Sequence, residues 1–184
     1  MKLSHFVFTI GLSLFLSACS GSATRFFEDK KYRDPKNCVE IEDSEMDDFK
    51  IVSFDTNNCS SYLEGNPNIY AFPRAVIDKK SNKVTYQIYV FVHGQEWHFL
   101  HSYRYLFKGK LEPEKKLSQI DRTVRAGIQE HYTFSLSRDR FEFFSEEPLK
   151  IRVYGERGNS TVEVSPELFR AVLSASDSSR APQK

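Results

Sequence analysis

Residues 83–92 read KVTYQIYVFV, and their side chains alternate with a period of two. On an extended chain Val84, Tyr86, Ile88, Val90 and Val92 share one face, while Thr85, Gln87, Tyr89 and Phe91 share the other. A helix would wind the same residues around its whole circumference, so the segment is predicted as a strand with one face committed to a core. Related patterns recur. Phe49–Phe54 (FKIVSF) is apolar and β-branched. Ile69–Asp78 (IYAFPRAVID) is extended, although Pro73 removes a ladder donor and implies a sheet edge or a bulge. Residues 96–107 (EWHFLHSYRYLF) place Trp97, Phe99, His101, Tyr103, Tyr105 and Phe107 on one face. Gly127–Leu136 turns Ile128, Tyr132, Phe134 and Leu136 inward and Gln129, His131, Thr133 and Ser135 outward, with Glu130 interrupting the apolar row.

Turn residues punctuate these runs. Lys79-Lys80-Ser81-Asn82 and Gly94 bound the second of three strands, so residues 69–107 are predicted as a meander with the Trp97 strand in a central position. Residues 108–122, polar and containing Gly109 and Pro113, read as a long connection. Ser137 is placed to cap a short helix running to about Ser145, with Phe141 and Phe144 on one side. Leu149–Gly155 and residues 160–164 form a further strand pair across the Gly155–Gly158 turn. Ser165-Pro166-Glu167 has the composition of a helix start, and Leu168, Phe169, Val172 and Leu173 follow as one apolar stripe. The expected fold is mainly β, an antiparallel β-sandwich or half-barrel with a short internal helix and a C-terminal helix, and with immunoglobulin-like connectivity as the candidate topology.

The N-terminus carries a different signal. Lys2 gives a positive start, residues 6–16 (FVFTIGLSLFL) form an apolar run too short to span a bilayer, and Leu16-Ser17-Ala18-Cys19 closes it. This arrangement resembles the lipobox signal peptide of bacterial lipoproteins. The resemblance implies cleavage before Cys19, acylation of that residue and, with Ser20 rather than Asp next in line, sorting to the outer membrane. Each buried methylene contributes about 0.8 kcal/mol, so acyl chains on Cys19 would hold the chain on a membrane almost irreversibly. The expected division is a signal peptide over 1–18, a lipidated tether over 19–36, one β-rich domain over 37–175 and a disordered tail over 176–184. The tether would span roughly 20–25 Å root-mean-square, with Phe26-Phe27 packed on the domain or dipped into the lipid interface.

Several classes are disfavoured by composition. Removing Lys2 from the 26 basic residues leaves 25 against 25 acidic ones, which gives no basic face for nucleic acid. With Cys19 acylated, Cys38 and Cys59 are an even pair, which in an oxidising envelope compartment reads as one disulfide. A metal pair and a catalytic thiol are the rival readings; neither has a CxxC or second ligand cluster nearby. Six acids in residues 40–48 (EIEDSEMDD) read as a solvated loop or edge, because the glycine of a calcium-binding loop is missing. His93, His98, His101 and His131 do not combine into a zinc set on one strand, and no metal or other cofactor is expected. Glu130 is an acid on an apolar face, expected to pair with Arg122 or Arg125 rather than to act as a raised-pKa catalytic group. No nucleophile motif or phosphate-binding glycine loop is present in the sequence.

The aromatic surplus is then the strongest lead. Trp97, His101, Tyr103, Arg104, Tyr105 and Tyr89 form the candidate binding patch, since Tyr and Trp offer large contact area at low entropic cost. The functional expectation is a non-enzymatic outer-membrane lipoprotein facing the periplasm, held by its acyl chains and acting on an envelope protein partner as an assembly or accessory component. The alternative is a ligand-binding lipoprotein that takes a glycan, peptidoglycan fragment or lipid on an aromatic face.

Overall fold

The Val84 row became the inner layer of a sandwich. The computed structural model describes residues 34–55, 68–125 and 127–180. A single tight helical turn, Pro35–Cys38, leads into β1 (Val39–Glu42), β2 (Phe49–Phe54), β3 (Ile69–Asp78), β4 (Val84–Gly94) and β5 (Leu100–Phe107). Short β6 (Lys110–Leu111) and β7 (Lys115–Lys116) precede β8 (Ser118–Arg125) and β9 (Gly127–Leu136). Helix α1 (Arg138–Phe143), β10 (Leu149–Gly155), β11 (Gly158–Val164) and helix α2 (Pro166–Ser178) complete the elements of the described residues. One sheet has six strands in the order β1-β2-β3-β4-β9-β8; the other runs β11-β10-β5-β6, with β7 also paired to β5. All pairings are antiparallel. The protein is therefore an antiparallel β-sandwich with a short internal helix and a C-terminal helix.

Burial follows the alternation. Tyr86, Ile88, Val90 and Val92 are buried, as are Tyr132, Phe134 and Leu136 on the neighbouring β9. Ile151 and Val153 of β10 and Val162 and Val164 of β11 close the core from the other sheet. The helices add an aromatic plug: Phe169 of α2 meets Phe141 at 4.9 Å and Phe144 at 5.8 Å, and Phe141 packs on Tyr86 at 4.7 Å. Offset and edge-on ring pairs of this kind add to the area they bury.

The structure corrects several expectations. Residues 69–107 are not a meander, because β9 takes the free side of β4 while β5 crosses to the second sheet and pairs with β10. Trp97 lies in the connection between β4 and β5 rather than in a central strand. Four consecutive strands side by side also differ from the ABED and CFG split of an immunoglobulin domain. Residues 108–122 hold β6, β7 and the start of β8; β8 is an edge strand, solvated enough that Ile120 and Val124 stay exposed, so it shows no buried row. Helix α2 continues to Ser178, past the expected end near Ala175. Pro73 sits in an interior strand opposite Ile88, but β2 pairs with β3 only from Val52↔Ala75 onward, so the missing donor falls where that pairing has ended.

Acid-rich residues 40–48 are the exposed end of edge strand β1 and its turn into β2, as a solvated edge requires. Asp43 lies 2.8 Å from both Lys50 and Lys79, and their ammonium groups, Lys50 foremost, hold its carboxyl below the usual range. No described helix is long and apolar enough to cross a membrane. Cys19, residues 19–33 of the expected tether and Cys59 lie outside the described residues.

Candidate functional site

The six residues of the expected patch do not share one surface. Tyr103 and Tyr105 are 4% and 2% exposed and belong to the core. Tyr103 lies on Phe134 at 3.8 Å between ring centres, while Tyr105 accepts a hydrogen bond from Arg140. Burial pushes the Tyr103 phenol up to about 12. His101 is exposed and shares a hydrogen bond with the Ser102 hydroxyl at 2.9 Å; Arg104 donates to the Glu112 carbonyl at 3.2 Å. The expected row also loses phase: pairing between β5 and β10 shifts register between Tyr154 and Gly155, so Leu100, not Phe99 or His101, enters the core. Tyr89 and Trp97 belong to two separate aromatic surfaces.

Tyr89 stands on the outer face of the six-stranded sheet. Its ring lies 5.0 Å from Phe72 and 5.9 Å from His131, and Phe91 lies 5.1 Å from His131 and 6.2 Å from Tyr70. The register explains the grouping: β3, β4 and β9 place Phe72, Tyr89 and Thr133 abreast, with Tyr70, Phe91 and His131 in the adjacent row. Arg74 lies 4.9 Å over the Tyr89 ring and donates to Gln87 at 2.8 Å. The Tyr89 hydroxyl bonds His131 Nδ1. Burial lowers the His131 pKa and raises that of Tyr89, so desolvation favours the neutral form of each. Beside the row is a depression of about 260 Å³ lined by Glu42, Ile51, Ser53, Phe72, Arg74 and Tyr89. Sequence reasoning picked out Tyr89 but missed Tyr70, Phe72 and Arg74. Their signal was the alternation in IYAFPRAVID, which the meander places beside residues 83–92; the register that sets Phe72 next to Tyr89 is fixed only by the pairing of the two strands.

The second surface is built on a buried acid. Glu130 has no solvent exposure. One carboxylate oxygen accepts the His98 N–H at 2.5 Å, and the other accepts the Phe99 N–H at 2.9 Å and the Tyr132 hydroxyl at 2.6 Å. The Arg122 guanidinium approaches to 3.6 Å and also donates to the Tyr132 hydroxyl at 3.1 Å. Burial, followed by the bond to Glu130, pushes the Tyr132 phenol up to about 12. The expected pairing of Glu130 with Arg122 is thus present. What no local pattern announced is the pair of backbone donors from the β4–β5 connection. They hold Phe99 at φ 47°, a left-handed conformation that non-glycine residues adopt at a cost.

This clamp sets the position of Trp97. The indole stacks on Phe99 at 5.7 Å, and Arg122 lies 4.8 Å over the Phe99 ring. From the second sheet, Arg157 donates to the Trp97 carbonyl at 2.9 Å and pairs with Glu96 at 2.6 Å, while the Glu156 N–H donates to the His98 carbonyl at 3.1 Å. Gly155 makes the close approach feasible, since a Cβ there would stand 2.5 Å from the His98 oxygen. The result is an open depression of about 540 Å³ with Trp97 and Phe99 in its lining.

The histidines are dispersed over a strand end, a loop and two strands, and no metal-ligating group of three or more His, Cys, Asp or Glu occurs among the described residues. In comparisons with known proteins, no family model, no curated protein and no solved structure gave a significant match.

Proposed function

We propose that the protein is a non-enzymatic lipoprotein of the bacterial outer membrane, anchored through Cys19, whose periplasmic β-domain serves envelope assembly or upkeep by docking a protein partner. The observation that supports this reading is the outer face of the six-stranded sheet. Tyr70, Tyr89, Phe91 and His131 lie partly exposed there around a buried Phe72, a continuous aromatic group edged by Arg74. Aromatic residues and arginine are the side chains in which binding energy concentrates at protein interfaces. The helices pack on the opposite side of this sheet, where Phe141 meets Tyr86 of the inner row.

A photo-crosslinking phenylalanine analogue placed at Phe91 in living cells tests the proposal. One envelope protein captured at near-equal amounts, and not captured by the same probe at Lys150 on the other sheet, is the expected result. Diffuse neighbours from both positions would count against a docking role.

The proposed compartment also gives Cys38 a partner. Cys38 is 1% exposed at the end of the first helical turn, and a disulfide to Cys59 would close a loop of about 20 residues and stabilise the domain by about 3 kcal/mol. In denaturant without reductant, neither cysteine is expected to take up iodoacetamide; after reduction both are. Labelling before reduction would remove the disulfide from the proposal.

A further inference from the structure

We infer that the Trp97 depression is a carbohydrate site that takes a single pyranose ring against the indole. Binding a sugar ring requires a flat apolar surface for its C–H face and polar groups around it for its hydroxyls. Both are present. Phe99 occupies one face of Trp97, so the stack Arg122, Phe99, Trp97 ends in an indole that remains partly exposed on the depression. Gln95, Glu96, Glu156 and Arg157 surround it. This rim supplies the Gln95 amide, the Glu156 carboxylate and the outer atoms of the Glu96–Arg157 ion pair within one small area, a mixture of acceptors and donors that matches a ring of hydroxyls.

The geometry argues against other occupants. A flat aromatic ligand is held best in a slot between two rings, whereas here Phe99 already fills one side of the indole. An acyl chain needs an enclosed apolar channel, and this depression is open and rimmed by charge.

The supporting architecture is unusually costly for a passive loop. A carboxylate with no solvent exposure and a non-glycine residue at φ 47° are both committed to fixing residues 97–99. Two contacts from the β10–β11 turn fix the same loop from the other sheet. A platform held this way loses little conformational entropy when a ligand arrives. The site is built from different loops than the Tyr89 row, so it stands or falls separately from the protein-docking proposal.

Trp97 is the chain's only tryptophan, so its emission reports on this site alone. The full-length protein, in a detergent without a sugar headgroup, is titrated with a tetramer of β-1,4-linked N-acetylglucosamine and with a tetramer of α-1,4-linked glucose. A saturable change in tryptophan emission with at least one of them is expected. Trp97→Ala should then weaken the binding seen by calorimetry about tenfold or more, Trp97→Phe less, with thermal midpoints near that of the parent. Absence of a saturable response to either tetramer up to about 10 mM overturns the proposal, as does a folded Trp97→Ala that binds like the parent. The titration of the parent protein is decisive by itself should Trp97→Ala fail to fold.

Discussion

Glu130→Ala is expected to remove about 3–5 kcal/mol of folding stability, a large share of what a domain of this size possesses. The loss has little to do with the methylenes deleted. Without the carboxylate, the N–H groups of His98 and Phe99 and the Tyr132 hydroxyl lose their acceptor, and Arg122 loses its counter-charge at the edge of the core. Each unsatisfied buried donor costs about 1–3 kcal/mol, and the two backbone donors cannot turn toward water while β4 and β5 stay paired in different sheets. Glu130→Gln keeps an acceptor but points amide protons at a site built of donors, and should fall between the alanine variant and the parent. Urea titration measures the loss. The tryptophan emission maximum gives a second readout, because release of residues 97–99 should move Trp97 toward water before global unfolding. A loss below about 1 kcal/mol with unchanged emission would show that the carboxylate is incidental to the loop.

Cys19→Ser is expected to have an all-or-none effect on location. Under the proposed anchoring, no acyl chain is attached to serine, palmitate labelling disappears, and the protein moves from the membrane fraction to the soluble periplasm. The size of the effect follows from the lipid: at about 0.8 kcal/mol per buried methylene, acyl chains outweigh any attraction that a mature chain with balanced charge could add at a membrane surface. Retained label, or unlabelled protein already freed of residues 1–18 that still sediments with membranes at high salt, would remove the anchor from the proposal. Photo-crosslinking at Phe91 in the same variant would then show whether partner capture depends on being held at the membrane.

The inner and outer faces of β4 and β9 were legible in the sequence because a period of two leaves little choice: shifting either strand by one residue would carry Ile88 or Phe134 from the core to solvent. The two helices were legible for a similar local reason: Ser137 and Ser165 sit at the Ncap positions, although neither hydroxyl makes a cap hydrogen bond, Pro166 and Glu167 open the second helix, and Phe141, Phe144 and Phe169 are buried. The strand β8 was not legible, because an edge strand wet enough to leave Ile120 and Val124 exposed does not have to alternate.

Local pattern alone therefore determined that the segments of β3, β4, β9 and β10 are extended, which face of β4 and β9 is buried, and that Glu130 needs a partner. Tertiary structure decided which sheet each strand joins and where the aromatic surplus goes. Residues 96–107 show why. Taken by itself their alternation is a perfect strand face, but β9 occupies the edge of β4 that the segment would have used. The chain instead turns through Phe99 at φ 47°, anchored by an acid 31 residues further along. That turn sends Tyr103 and Tyr105 into the core and leaves Trp97 on a shelf outside it. The physical reason is that side-chain period is a property of neighbouring residues, whereas the choice of partner edge depends on hydrogen bonds between segments far apart in the chain.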